Sequence, residues 1–468
     1  MRRTPLHLLV LPVATMALTQ TAGAQSQSRD NMTGVWALTN ARIETVTKGT
    51  IERGTIVIRN GVIEAVGASV NPPADARVVD LSGKTIVPAF IDLTSSLGLR
   101  PEPAQGGRGA APAQPVFPGQ EPEVTTEVRM VGLEPDRVVA EELRVNPTDA
   151  RSIRDAGIGA VLVAPSRGLF RGLSALVPMR DDTASRWIVK SPVALHVGYQ
   201  TVPGAYPSNL LGVIAYQRQA FYDAQRHAMV MDRYKANPRG MPRTAHNAEL
   251  EALVPVVKGD MPAFIAANTE NEILRALALA KEFNIKVTIV GAVEGFRAVN
   301  ALKGSRPPVV TVDFPTPQQT TGWQYHMATR RDPADSSARL AAATRLIEGN
   351  AAALNTAGIK FALASGGISA TAFMDNVRKA IAAGLPRNVA IEALTIRAAE
   401  AAGVDAQLGS IEAGKIANLL VVQGEPLAAT ARLESVYIDG LQYDVVPAPA
   451  GRGGRGGRAN NPPPMREE

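Results

Sequence analysis

The chain contains no cysteine. That excludes disulfides, thiolate nucleophiles and cysteine metal ligands. It also excludes a lipoprotein anchor, which needs a cysteine behind the leader. Histidine is scarce as well: five in 468 residues, at His7, His196, His227, His246 and His326. No two have ligand spacing such as H-x-H or H-x3-H, so no zinc site built on paired imidazoles is written in the chain. Long apolar runs are lacking. The one candidate, Leu6–Leu18, holds Pro12 and is too short to span a bilayer well. Nor is charge of one sign in large excess. The net +6 resides partly in Arg2-Arg3 and partly in a C-terminal Arg-Gly stretch. The body is therefore closer to neutral, and nothing demands a nucleic-acid partner.

What is present falls into blocks. Residues 1–24 read as a signal peptide: a charged start, an apolar stretch, then Ala22-Gly23-Ala24 as the cleavage pattern. This predicts an exported protein, periplasmic or secreted, with no transmembrane segment after cleavage. Residues 34–87 read as short strands with tight turns. Asn60-Gly61 between alternating runs is a strong hairpin signal, and Ser82-Gly83 repeats the theme. Residues 98–120 are rich in Pro, Gly, Ala and Gln and read as a mobile loop. Within 88–402 the pattern becomes βα units. PAFIAANTENEILRALALAKEFN gives a strand, a turn and an amphipathic helix, with Thr269 and Glu272 as a capping box. Further strands start near Lys286 and Val309, and others cover Ala160–Ala164 and Lys360–Ala364. Strands alternating with helices imply a parallel sheet, and this length suits a (β/α)8 TIM barrel. A doubly wound open sheet is the alternative. Residues 403–446 return to strands, which predicts a small composite β-sandwich from the N- and C-terminal segments. Residues 447–468 are low complexity and read as a disordered Arg-Gly-rich tail.

Four stretches resemble the amidohydrolase superfamily, and within it the imidazolonepropionase-like group. GTIVIRNGVIEAVG resembles the opening hairpin. GKTIVPAFIDLTSSLG resembles the first barrel strand, usually Pro-Gly-x-Ile-Asp-x-His-x-His-x-Gly. FALASGG resembles the eighth strand, and LTIRAAEAAGVDAQLGSIEAGKIANLLVVQGEPL the closing segment. The resemblance implies a barrel holding one or two divalent metals, often zinc, which make a hydroxide from bound water near neutral pH. Carried over by position, the first-strand histidines fall on Thr94 and Ser96. The fifth-strand His falls on Ala266, the sixth-strand His on Gly291, and the eighth-strand Asp on Gly366. The fourth-strand ligand has no evident counterpart. Neutral hydroxyls are poor zinc donors, and Ala and Gly offer none. The metal set reads as dismantled, and no cofactor is expected.

The pocket candidates are Thr94, Ser96, His196, Asn268, Glu270 and Gly366, with Glu294 and Asp313 also near predicted strand ends. His227 is expected on a helix face, and His246 and His326 in loops. Asn268 and Thr269 serve equally as helix caps, and Ser365-Gly366-Gly367 as a tight turn. The expected function is an exported, non-catalytic member of the family that binds a small molecule. Self-association or pairing with an intact homologue is the other expected role. The competing expectation is a working hydrolase of C–N bonds with a non-standard site. A third is a binding protein acting through its tail and the 98–120 loop.

Overall fold

The computed structural model describes residues 34–100, 134–181, 187–201, 207–315 and 333–445. The expected leader, nearly all of the 98–120 loop, the tail, His7 and His326 lie outside the described residues.

Five strands open the chain: β1 Trp36–Glu44, β2 Thr50–Arg59, β3 Val62–Gly67, β4 Arg77–Asp80 and β5 Lys84–Pro88. The Asn60-Gly61 hairpin forms as expected. Asn60 has φ 51° and Gly61 φ 81°, the left-handed pair that a tight two-residue turn requires. Ser82-Gly83 makes no hairpin. It joins β4 to β5, and both run parallel to β1 at successive registers. The last three strands, β15 Leu419–Gln423, β16 Arg432–Ile438 and β17 Leu441–Asp444, enter the same sheet. The order is β17-β16-β15-β5-β1-β2-β3, with β4 beside β1. The expected sandwich is thus one sheet, rolled until its edge meets the approach to β15. Ile63 N donates to Lys415 O (2.8 Å) and Ala417 N to Gly61 O (2.8 Å). Ile43, Ile58, Ile86, Leu419 and Tyr437 fill the enclosed core.

Among the described residues, nine strands lie between: β6 Phe90–Ser95, β7 Ile158–Val163, β8 Phe170–Leu173, β9 Ala175–Pro178, β10 Leu195–Val197, β11 Ala263–Ala267, β12 Val287–Gly291, β13 Val309–Thr311 and β14 Ala362–Ala364. They form a six-stranded sheet, β14-β13-β12-β11-β10-β8, and a three-stranded sheet, β6-β7-β9. The two share one interior, in which Leu93, Leu162, Leu176, Phe264, Val309 and Ala364 pack together. This is a barrel-like arrangement of eight staves, and it departs from the expected (β/α)8 closure in two ways. First, β8 and β9 form one reversed stave broken at Ser174, antiparallel to β10 and β7 respectively. The chain turns back soon after β7, and an antiparallel return needs no crossover helix. Second, no ladder joins β14 to β6 among the described residues.

Helices cover the outside of the sheets. Glu270–Phe283 shows why they form where they do. Thr269 accepts from Glu272 N while Glu272 accepts from Thr269 N, which is the expected capping box. Ile273, Ala276, Leu279 and Phe283 then face the sheet at helical spacing. Arg387, on the helix Arg387–Leu394, ties this layer to the rolled sheet through Glu44 (3.1 Å) and Glu425 (2.8 Å).

Candidate functional site at the strand ends

Asp92, the third residue of β6, is buried at 5 % exposure. Its carboxylate accepts from Ser365 N (2.9 Å), Ser365 Oγ (2.7 Å), Thr94 N (3.1 Å) and Thr94 Oγ1 (3.3 Å). Burial pushes this carboxyl above the usual range, and the hydrogen bonds from Ser365 and Thr94 pull the other way. Thr94 Oγ1 in turn accepts from Gly366 N (2.7 Å), and Ser365 Oγ accepts from Gly367 N (3.0 Å). The backbone donors of the Ser365-Gly366-Gly367 turn are therefore spent inside the chain, and none is presented to an anion. The Asp92, Thr94 and Ser365 side chains join β6 to the end of β14 where no ladder does. A cavity of about 280 Å3 opens beside them, lined by Thr94, Ser95, Ser96, Ser152 and Ser369.

The sixth and eighth strand ends are filled from their neighbours. Gly291 has φ 106°, and a Cβ built there would meet Asn268 Oδ1 at 2.0 Å. Gly366 has φ 69°, and its Cβ would meet Asp313 Cγ at 2.8 Å. So Asn268, at the end of β11, occupies the space of a β12 side chain. Asp313, just past β13, occupies that of a β14 side chain. Asp313 Oδ1 is buried with no hydrogen-bond partner among the described residues. Burial pushes the Asp313 carboxyl up, while the Thr311 hydroxyl acts against this. Counting staves round the interior, β10 is the fourth. It runs into Gly198, whose Cβ would meet Arg171 Nη2 at 2.1 Å.

The remaining candidates do not join this cluster. His196, on β10, is 7 % exposed and packs against Phe264 at 5.4 Å between ring centroids. Its Nε2 has no partner among the described residues. Burial, with the nearby Arg171 cation, lowers its pKa to about 3. Glu270 N donates to the buried Glu294 carboxylate (3.1 Å), so this pair serves the start of the Glu270–Phe283 helix. His227 lies on the Leu210–Ala236 helix, and His246 lies in a loop, 3.0 Å from Glu251. The sequence pointed to Thr94 and Gly366 as separate positions. What it could not show is that Asp92 and Ser365 bind them together. The signal for Asp92 was its place in the motif; for Ser365 there was none.

These residues do not fit a metal of the expected kind. Thr94, Ser96, Ala266, Gly291 and Gly366 bring no imidazole or carboxylate, and both hydroxyl atoms of Thr94 and Ser365 are already engaged. Among the described residues, no three His, Asp or Glu side chains are grouped to hold an ion.

Residues 241–442 match the model of the amidohydrolase family. An amidohydrolase from Thermotoga maritima MSB8 is 23% identical, with 87% of this chain and 98% of that one aligned, at a TM-score of 0.67. A putative prolidase from Bifidobacterium longum is 16% identical over 88% of this chain and 95% of its own, at 0.50. Identities this low speak for shared fold alone. No curated protein sequence matches the chain.

Proposed function

We propose that the chain, whose residues 241–442 match the model of the amidohydrolase family, is an exported, non-catalytic member of that superfamily. In this reading the two inner sheets are a (β/α)8 barrel with one reversed stave. The barrel holds a small ligand or pairs with an intact homologue. One observation carries the proposal. The family's metal positions lack donors, and two of them are closed by Asn268 and Asp313. A site missing only its ligands could be refilled by substitution; this one has been packed over. Without imidazoles or a carboxylate aimed at a common point, no water is activated by a metal there.

The test is metal content together with turnover. The full chain, exposed to zinc and dialysed, is expected to retain well under one ion and to leave a panel of C–N substrates intact. Retention of about one zinc per chain with hydrolysis would overturn the reading.

A second reading is favoured by Asp313. It is a working hydrolase of C–N bonds in which this carboxylate, displaced by one strand, acts as general base. Asp313→Asn should then abolish any hydrolysis of such substrates without unfolding the chain. Turnover unchanged in that variant would dismiss this role.

A further inference from the structure

Below the strand ends lies a second cavity, of about 870 Å3. It is bounded by the helices Pro147–Arg154 and Ala370–Ala382 and by β15 and β16 of the rolled sheet. Its size lies within the range of small-molecule sites, roughly 300–1,000 Å3, and junctions between substructures are common places for them. Its lining has two parts. Phe90, Leu420, Val422 and Leu433 supply an apolar floor, and Arg151, Arg378 and Arg432 supply guanidinium groups. One carboxylate, Asp155, faces them, 3.6 Å from Arg151. Arg378 uses Nη1 on Asp375 (2.7 Å), but its Nε is buried with no hydrogen-bond partner. Arg432 has no ion-pair partner among the described residues. Ser152 lines this cavity and also the hydroxyl-lined one, so the two adjoin.

With Arg151 paired to Asp155 and Arg378 to Asp375, the Arg432 guanidinium is left over and makes the cavity cationic, and the apolar wall strengthens its field. A neutral apolar ligand would leave that charge unanswered, and a small inorganic anion would leave the floor wet. An anion with an apolar body satisfies both. Guanidinium also matches a planar carboxylate in bidentate geometry. We propose that this cavity binds an amphiphilic carboxylate, with its chain or ring on the Phe90–Leu433 floor and its carboxylate on Arg432 and Arg378. The site is separate from the barrel mouth and stands whether or not the mouth is catalytic.

Two segments of the chain itself are rival occupants. The stretch after Val445 carries Arg452, Arg455, Arg458 and Arg466 against Glu467 and Glu468, which is the wrong sign. Residues 101–133 carry Glu102, Glu121, Glu123 and Glu127 against Arg108 and Arg129, which is the right sign. The experiment separates this second case from a free ligand.

The full-length protein is titrated by calorimetry with decanoate, with acetate as headgroup alone and decyltrimethylammonium as the oppositely charged tail. Decanoate is expected to saturate one site, and the other two are not. Arg432→Gln should weaken decanoate by at least about tenfold, the loss expected for a charge-assisted contact. Arg432→Lys keeps the charge but loses the bidentate fork, so its affinity should fall between that of the parent and of Arg432→Gln, and thermal unfolding of both variants should match the parent. The proposal is overturned by absence of saturable binding below about 1 mM, by equal binding of the ammonium, or by unchanged affinity in the Arg432→Gln, Arg378→Gln double variant. Replacing the four Glu of 101–133 by Gln should leave the affinity unchanged. A gain of about tenfold or more would show that this segment fills the cavity, and would equally overturn it.

Discussion

Gly291 and Asn268 contend for one space at the end of β12. At Gly291 the backbone is left-handed at φ 106°, and the Asn268 carboxamide lies where a Cβ would go. Gly291→His, which supplies the imidazole that the sequence resemblance implies for this position, should cost about 2–4 kcal/mol from strain and overpacking together. Denaturant unfolding would read this. Adding Asn268→Ala should recover part of the loss, because the two residues contend for one space. His196 makes a second residue-scale prediction. Its pKa is lowered from 6.5 to about 3, so the folded chain keeps it neutral where the unfolded chain protonates it. The unfolded state then binds more protons between those values, and stability falls as pH drops through that window. At pH 5 the loss from this group is roughly 2 kcal/mol relative to neutral pH. Comparing unfolding free energies of the parent and His196→Gln from pH 7 to pH 5 isolates it. Parallel curves for the two proteins would refute a neutral buried imidazole.

Among the elements, the junction of β6 with β14 has no ladder and rests on side chains. Asp92, Thr94 and Ser365 tie the first stave to the last there. Thr94→Val removes the acceptor of Gly366 N and one donor to Asp92 while keeping the volume. It should cost about 1–3 kcal/mol, because a backbone donor loses its partner near a buried carboxylate. Thr94→Ser should cost less than about 1 kcal/mol. Equal stability of Thr94→Val and the parent, by urea unfolding, would mean that the hydroxyl is idle. The reversed stave β8–β9 belongs to the same scale. The regular spacing of the later βα units suggests that all staves run one way, and the short turn at Ser166–Gly168 does not read as a reversal.

For the molecule as a whole, the rolled sheet is the part that the two chain ends build in common. β15 lies between β5 and β16, so the C-terminal strands continue the sheet that the N-terminal strands begin, with β17 at its edge. A chain ending at Ala402 should therefore fail to fold, losing β15 from the sheet and the Leu419, Val421 and Tyr437 side chains from its core. Circular dichroism and size-exclusion chromatography of residues 34–402 would check this. A cooperative thermal transition in that fragment would contradict it. No helix among the described residues is long and apolar enough to cross a membrane.

By itself the sequence determined the hairpin at Asn60-Gly61, the capping box at Thr269 and Glu272, the later βα alternation, and the absence of imidazole or carboxylate at Thr94, Ser96, Ala266, Gly291 and Gly366. These are local matters: backbone propensity, periodicity and the chemistry of single side chains act within a few residues. Tertiary structure alone decided that Thr94 meets Gly366 across more than two hundred residues, that Asn268 and Asp313 close the neighbouring strand ends, and that Arg151, Arg378 and Arg432 gather round one cavity. Such contacts depend on stave order and register. Those are fixed by burying the interior as a whole, and no single segment carries the information.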